Sequence, residues 1–268
     1  MGEAVAGPAL RPGLRVMISA GAAGIGRATA AAFAAAGAKV HICDVDEQAL
    51  AACLAEVAGV AGVPADVADD GQVGRWFDAA RDALGGLDVM VNNAGIAGPT
   101  GPIESLDAAE WRRTIEVNLT SMYLCCRRAV PLLKAAAAEH GEAVMVNLSS
   151  VAGKFGYAFR TPYSASKWAV VGLSKSLSRE LGPFGIRVNA VQPGPVAGPR
   201  IERVIEAKAA AQGVSPDEIR AALTAHASLG RFVTADDIAG TILFLSSPQA
   251  RNISGQAIAV CADSTDIT

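Results

Sequence analysis

Short runs of apolar, often β-branched residues alternate along this chain with alanine-rich stretches of helical period. The runs at 14–19, 39–44, 87–91, 143–149, 186–191 and 257–260 mostly lack polar alternation, as strands do when a parallel sheet is covered on both faces. The stretches between them, at 27–36, 46–57, 72–84, 108–138 and 161–181, are long enough for crossover helices. Repeated strand–helix–strand units predict an α/β fold with a doubly wound parallel sheet. No Pro/Gly/Ser linker or internal repeat divides the chain, so 1–268 reads as a single domain. Between Gly194 and Gly230 the strand rhythm stops, and 200–212 and 216–227 read as two helices. The second is opened by Ser215-Pro216-Asp217-Glu218, with Ser at the N-cap, Pro at N1 and Glu at N3, the pattern of a capping box. A helical pair inserted after a late strand lies where an α/β sheet places its ligands. Residues 195–229 are therefore a candidate substrate lid, with a packed surface hairpin as the competing reading.

Composition narrows the function classes. With 268 residues, 51% hydrophobic and 18% charged, the chain can bury a large core without a disulfide or metal staple. The balance of 23 Lys and Arg against 26 Asp and Glu, net −3, supplies no field for a nucleic-acid backbone. Cys43, Cys53, Cys125, Cys126 and Cys261 contain no C-x-x-C pair, and His41, His140 and His226 are far apart. The expectation is reduced thiols, no metal site and a cytoplasmic protein. At the N-terminus Glu3 stands where a secretory signal carries positive charge, and Gly2 lacks the Ser or Thr of a myristoylation motif at Ala6. The C-terminal Asp266-Ile267-Thr268 is no prenylation signal. The alanine-rich 28–38 falls short of the about 20 apolar residues that span a bilayer, so no membrane segment is expected.

Two clusters carry candidate chemistry. After the first strand comes Ser19-Ala20-Gly21-Ala22-Ala23-Gly24-Ile25-Gly26, leading into a helix. Such glycines permit a tight turn and let backbone N–H groups approach a pyrophosphate, although an ordinary turn uses glycine too. Asp44 closes the second strand, 18 residues beyond Gly26, where a carboxylate accepts hydrogen bonds from ribose hydroxyls. A 2′-phosphate there meets repulsion of roughly 4 kcal/mol per charge pair at 4 Å and an effective dielectric near 20. Ala23 brings no compensating cation, so NAD is expected over NADP. Asp44 has a competing reading as a helix cap, for which Asp46 is the better placed residue.

The second cluster is Asn147-Leu148-Ser149-Ser150-Val151-Ala152-Gly153 followed by Tyr163-Ser164-Ala165-Ser166-Lys167. On a helix Tyr163 and Lys167 share a face at i, i+4. Lowering a phenol from pKa 10 to about 7 takes roughly 4 kcal/mol of differential stabilisation, to which an adjacent ammonium contributes. Ser150, at the mouth of a strand, is placed to hold a substrate oxygen. A lone Tyr-x-x-x-Lys is also common on structural helices.

Taken in order, the glycine turn, Asp66-Val67, Asn92-Asn93-Ala94-Gly95, Asn118, Ser149-Ser150, Tyr163 with Lys167, Pro193-Gly194 and Ser254-Gly255-Gln256 resemble the short-chain dehydrogenase/reductase family from Leu14 to Val260. The resemblance implies a single-domain, Rossmann-type sheet with a small helical substrate lid. It implies that Tyr163 is the general acid/base, that Lys167 lowers its pKa and binds the nicotinamide ribose, and that Ser150, 13 residues before Tyr163, orients the carbonyl or alcohol. Asn118 would bend its helix and hold a water linked to Lys167. Ser19, Gly21, Gly24, Ile25 and Gly26 would form the phosphate turn, Asp66 and Val67 would line the adenine, Asn93, Ala94 and Gly95 the adenosine side, and Pro193, Gly194 and Val196 the nicotinamide. A homo-oligomer, commonly a tetramer built on 108–138 and 161–181, is also implied.

Three positions depart from the family pattern. Ser19-Ala20 replaces Thr-Gly, with Gly21 adjacent as compensation; Gly198 replaces a Thr that touches the carboxamide; and Cys261-Ala262-Asp263 replaces Asp-Gly-Gly. Arg160 and Arg200 are candidate contacts for an anionic or polyhydroxylated substrate, with solvated surface charge as the alternative. Phe155, Tyr157 and Phe159 form either an apolar wall or core packing. The expected function is NAD-dependent hydride transfer to or from a secondary alcohol, sugar or hydroxy-acid hydroxyl, or the matching carbonyl. The competing readings are a ketoacyl-type carbonyl reductase and a non-catalytic NAD-sensing module.

Overall fold

The computed structural model describes residues 10–265. The terminal segments read above for leader and lipid signals, with Gly2, Glu3, Ala6 and Asp266-Ile267-Thr268, lie outside the described residues.

Seven strands, β1 (Arg15–Ser19), β2 (Lys39–Asp44), β3 (Val60–Pro64), β4 (Val89–Asn92), β5 (Ala143–Leu148), β6 (Ile186–Pro193) and β7 (Ala257–Val260), form one parallel sheet in the order β3-β2-β1-β4-β5-β6-β7. Every residue of β4, β5 and β6 is buried, which is why their sequences carry no polar alternation. Strand order reverses between β1 and β4. Beyond the carboxyl ends of those strands an open sheet leaves its ligand crevice.

The connecting helices are α1 (Gly24–Ala35), α2 (Glu47–Glu56), α3 (Asp70–Leu84), α4 (Ala108–Ile115), α5 (Ser121–His140), α6 (Thr161–Leu181), α7 (Pro199–Gln212), α8 (Pro216–Ala225) and α9 (Ala235–Leu245). They cover both faces. Val16 and Ile18 of β1 pack with Phe33 of α1, Leu50 of α2 and Ile242 of α9. Met17, between them, packs on the other face with Trp76 of α3, Leu133 of α5 and Val170 of α6. The period-2 geometry of the strand thus feeds two cores from one run of apolar residues.

Two elements escape the sequence reading. β3 is Val-Ala-Gly-Val-Pro, an edge strand paired only with β2 and not fully buried at any position, so its hydrophobic signal is weak and Pro64 is tolerated at its end. The run Ile242-Leu243-Phe244-Leu245 hides the helical period of α9, whose buried residues are Ile238, Ala239, Ile242 and Leu245. The single helix expected at 108–138 is instead α4 and α5 joined by a π-helical turn at Glu116–Thr120. The helix read at 27–36 starts three residues earlier, inside the glycine motif.

Between β6 and α9 the paired helices α7 and α8 build a small core of their own from Ile205, Ala209, Ile219 and Leu223. The capping box at Ser215 is formed: Glu218 N donates to Ser215 Oγ at 3.2 Å and Ser215 N donates to Glu218 Oε2 at 2.8 Å. All five cysteines are buried and free, and desolvation pushes the thiols of Cys43, Cys125 and Cys126 well up, which keeps them protonated. Among the described residues no group of His, Cys, Asp and Glu is placed to hold a metal ion, and no helix is long and apolar enough to cross a membrane.

Candidate active site

A cavity of about 580 Å³ opens at the carboxyl ends of the strands. At one end stand Ala20, Ala23, Gly24, Ile25 and Asp44; at the other stand Ser150, Tyr157, Arg160, Tyr163 and Lys167.

The first end is built by tying β1 to β4 across the switch point. Ser19 Oγ accepts from Asn93 N at 3.0 Å and Ala94 N at 3.1 Å, while Asn93 Nδ2 donates to Ser19 O and Ala20 O at 3.1 and 2.9 Å. A Cβ on Gly26 would stand 2.0 Å from Ala20 O, so only glycine lets α1 begin so close under the turn. The N-cap of α1 is Ala23, with no side-chain oxygen, which leaves the first-turn N–H groups to a ligand. Asp44 is buried; its Oδ2 accepts from Ala22 N and its Oδ1 from Asp46 N, both at 3.1 Å. The cap of α2 is Asp46, which accepts from Ala49 N at 2.9 Å. This donor-rich turn and rim carboxylate fit a dinucleotide, as does a cavity within the usual 300–1,000 Å³ of small-molecule sites.

Gly21 does not compensate for Ala20. A Cβ there would meet Ile42 at 2.5 Å, so Gly21 serves packing on β2, and Ala20 itself adopts the left-handed conformation at φ +50°. Left-handed backbone costs a non-glycine residue roughly 1–2 kcal/mol, and glycine's larger unfolded-state entropy takes back about 0.4–1 kcal/mol. Ala20→Gly is expected to raise unfolding stability by about 0.5–1 kcal/mol, read as a higher urea midpoint at unchanged slope; an unchanged or lower midpoint would refute the strain.

Asp66 and Val67 are not among the residues lining the cavity. Asp66 pairs with Arg113 at 3.0 Å and accepts from Ala68 N, and Val67 is core. Ala94 is also core, whereas Asn93 and Gly95 reach the cavity. A Cβ on Gly95 would lie 3.2 Å from Asn118 Oδ1 and 3.3 Å from Lys167 Nζ.

At the second end, Ser150 follows β5 and caps a short 3-10 turn, its Oγ accepting from Ala152 N at 3.1 Å. Its neighbour Ser149 is used differently, donating to Lys167 O at 2.7 Å. Gly153 permits this approach, since a Cβ would meet Ser149 Oγ at 2.5 Å and Lys167 O at 2.6 Å. Tyr163 lies in the first turn of α6, and Lys167 is one turn on, buried, with Nζ donating to Leu148 O at 2.8 Å and standing 5.8 Å from the Tyr163 ring centre. Asn118 sits fully buried in the π-helical turn. Its amide is engaged on both sides: Oδ1 accepts from Ile96 N at 2.7 Å, and Nδ2 donates to Ile96 O at 3.1 Å and Ser166 Oγ at 3.0 Å. Its side chain locks the loop after β4 to α6, beside Lys167.

Arg160 is no surface arginine. It is 2% exposed, donates from Nη2 to Ala97 O at 2.7 Å, and places its guanidinium 5.4 and 5.3 Å from the Tyr157 and Tyr163 ring centres. Tyr157 forms wall and core together, packing with Phe155 against Val151, Ala152 and Cys261, and burial pushes its phenol up against the opposing pull of Arg160. Phe159 is exposed and left-handed at φ +60°, outside the wall. Pro193, Gly194 and Val196 line the cavity. Arg200 is in the first turn of α7, and its side chain lies outside the described residues. The sequence reading missed the lining from α7 and α8, which among the described residues is Pro199, Ile201, Arg203, Val204 and Leu223. The signal was helical spacing: 200, 203 and 204 share a face.

A family model described as enoyl-(acyl carrier protein) reductase matches residues 20–262. Cis-4-hydroxycyclohexanecarboxylate dehydrogenase of Sinomonas cyclohexanicum is 39% identical over 92% of this chain and 94% of its own length. Among solved structures, actinorhodin polyketide ketoreductase with NADPH superposes with a TM-score of 0.87 at 32% identity, over 92% of this chain and 95% of that one. A 3-ketoacyl-(acyl-carrier-protein) reductase from Brucella melitensis complexed with NADH gives 0.84 at 30% identity, over 94% and 99%.

Proposed function

The chain belongs to the short-chain dehydrogenase/reductase family and is a dinucleotide-linked oxidoreductase acting on CH–OH groups; from that premise we propose that it uses NAD, with Tyr163 as general acid/base. What carries this reading is one cavity with Asp44 at its cofactor end and Ser150, Tyr163 and Lys167 at the other. In the oxidative direction Tyr163 Oη takes the proton of the substrate hydroxyl, and in the reductive direction it returns one. The Lys167 ammonium, held by Leu148 O, stabilises the phenolate and holds the ribose. Ser150 Oγ donates to the substrate oxygen, and Asn118 fixes the loop and helix that carry these groups. When bound, the dinucleotide supplies the hydride acceptor or donor. Ser19, Gly21, Gly24, Ile25, Gly26, Asn93, Ala94 and Gly95 shape its phosphate and adenosine side, and Pro193, Gly194 and Val196 hold the nicotinamide.

The lid spans 195–229, the substrate is a small alcohol or its carbonyl, and Arg160 faces it, with Arg200 on the lid a second candidate contact. The protein is cytoplasmic and a homotetramer, packing through α5 and α6, which expose Tyr123 and Trp168. A ketoacyl-type carbonyl reductase is the second reading, favoured by the likeness to a ketoreductase with NADPH; Asp44 speaks against the phosphorylated cofactor. A silent sensor module does not explain why Ser150, Tyr163 and Lys167 converge on one cavity. The test is turnover at 340 nm with NAD and NADP against sugars, polyols, hydroxy acids and secondary alcohols. Activity on a secondary alcohol with NAD is expected. Turnover confined to NADP and ketoacyl thioesters would replace this reading with the second.

A further inference from the structure

We propose that Tyr157 selects the substrate by donating its hydroxyl to a second oxygen, so that the site takes a doubly oxygenated compound, a diol, hydroxyketone or diketone, in preference to a simple alcohol. This rests on the oxidoreductase reading of the same cavity and names the substrate class within it. Tyr157 lies in the loop between β5 and α6 and lines the cavity with Ser150 and Tyr163. Its ring packs with Phe155 against Val151, Ala152 and Cys261. Two cationic heads stand against the same ring, Arg160 at 5.4 Å from its centre and Lys208 of α7 at 5.0 Å. The Arg160 guanidinium is also 5.3 Å from the Tyr163 ring centre, so one group spaces the two phenols along the wall. A ring held by this many neighbours offers its hydroxyl from a fixed place.

That hydroxyl takes part in no hydrogen bond among the described residues. The phenol is nevertheless withdrawn from water, since burial raises it by more than the charge of Arg160 lowers it. Held above its ordinary value, Tyr157 stays protonated at neutral pH and is a hydrogen-bond donor there, not a base. A buried tyrosine hydroxyl ordinarily has a partner, and small-molecule cavities orient their ligands by a few fixed polar groups. Ser150 and Tyr163 are engaged by the reacting oxygen, so the oxygen that satisfies Tyr157 is a different one. The lid contributes Ile201, Val204 and Leu223, an apolar surface for the carbon frame that joins the two oxygens.

The experiment titrates the enzyme–NADH complex with cyclohexanol and with cyclohexane-1,2-diol, 1,3-diol and 1,4-diol, followed through NADH fluorescence. With the cofactor already reduced an alcohol has no hydride acceptor, so each ternary complex is a dead end and binding is read without turnover. At least one diol is expected to bind about 5- to 10-fold tighter than cyclohexanol, as one net hydrogen bond allows. Tyr157→Phe keeps the ring and its packing and should bring that ratio to within about twofold of unity, with the affinities for NADH and cyclohexanol unchanged. In turnover of the preferred diol with NAD the same variant should raise KM and leave kcat within about twofold, a split that general loss of structure does not produce. Equal or weaker binding of all three diols to the unaltered complex would overturn the proposal and leave the oxidoreductase reading intact. A diol preference that survives Tyr157→Phe would overturn it as well, and so would loss of NADH and cyclohexanol binding in that variant, which would reduce Tyr157 to packing. Failure of the unaltered protein to bind NADH, seen in the same titration, would remove the underlying reading and this proposal with it.

Discussion

Tyr163→Phe is expected to lower kcat by about 10³-fold while the NADH dissociation constant stays within about twofold. The substitution removes one oxygen and keeps the ring, so the contacts of that ring with Arg160 and with the cluster of Phe155 and Tyr157 persist. What is lost is the proton carrier, and positioned general acid–base catalysis contributes typically 10²–10⁴-fold. The upper part of that range applies because, among the described residues, no other titratable side chain of the substrate end is suited to the role. Arginine does not deprotonate in proteins, and Lys167 is held by a backbone carbonyl. Burial drives the Tyr157 phenol in the direction away from a neutral-pH base. Steady-state kcat at saturating substrate, paired with a fluorescence titration of NADH, separates loss of chemistry from loss of binding. A decrease of less than tenfold would show that the proton leaves by another group and would remove Tyr163 from its role.

How much of this was legible in the chain depends on how each signal is encoded. The central strands announce themselves because both of their faces are covered and every position must be apolar, as in β5 and β6. β3 lies at the edge and is built of small residues around Gly62, where a Cβ would meet Ile42 Cγ1 at 2.7 Å. Its smallness is a packing requirement that hydrophobicity does not register. The π-helical turn leaves no trace in the apolar period of 108–138, because one extra residue per turn shifts the phase only locally. Asn118 was noticed through family resemblance, yet the reason it matters, the bonds to Ile96 and Ser166, is a tertiary fact.

The proposed reacting groups were legible because Tyr163 and Lys167 lie on one helix and Ser150 two residues beyond a strand. Arg160 was legible as a candidate, but its burial between two aromatic rings was not. Departures from the family pattern became readable only in backbone angles. Ala20, Ala262 and Asp263 all hold φ between +50° and +56°, at or beside the positions where the resemblance expects glycine. The chain keeps the family's backbone path and accepts left-handed strain along it.

Asp44 is where the largest change in cofactor choice is expected. Its carboxylate closes β2 at the rim of the cavity, fixed by two backbone donors, Ala22 N and Asp46 N, so it cannot swing away from an incoming phosphate without breaking both bonds. A 2′-phosphate brought within about 4 Å meets roughly 4 kcal/mol of repulsion at an effective dielectric near 20, reduced by solvent at the rim to about 3 kcal/mol. At 1.36 kcal/mol per tenfold, the unaltered enzyme should therefore favour NAD over NADP by about 10²-fold in kcat/KM. Asp44→Asn removes the charge at nearly constant shape and should bring that ratio to within about tenfold of unity. The change should come from improved use of NADP together with a weaker NAD complex, since the amide is the poorer acceptor for the ribose hydroxyls. The same variant presents an N–H₂ group to one of the two backbone donors, so a modest fall in unfolding stability should accompany the switch. Measuring kcat/KM for both cofactors in both proteins decides the matter: a native preference for NADP, or a ratio that Asp44→Asn does not move, would mean that the ribose is read elsewhere and would return the ketoacyl-type reductase to first place.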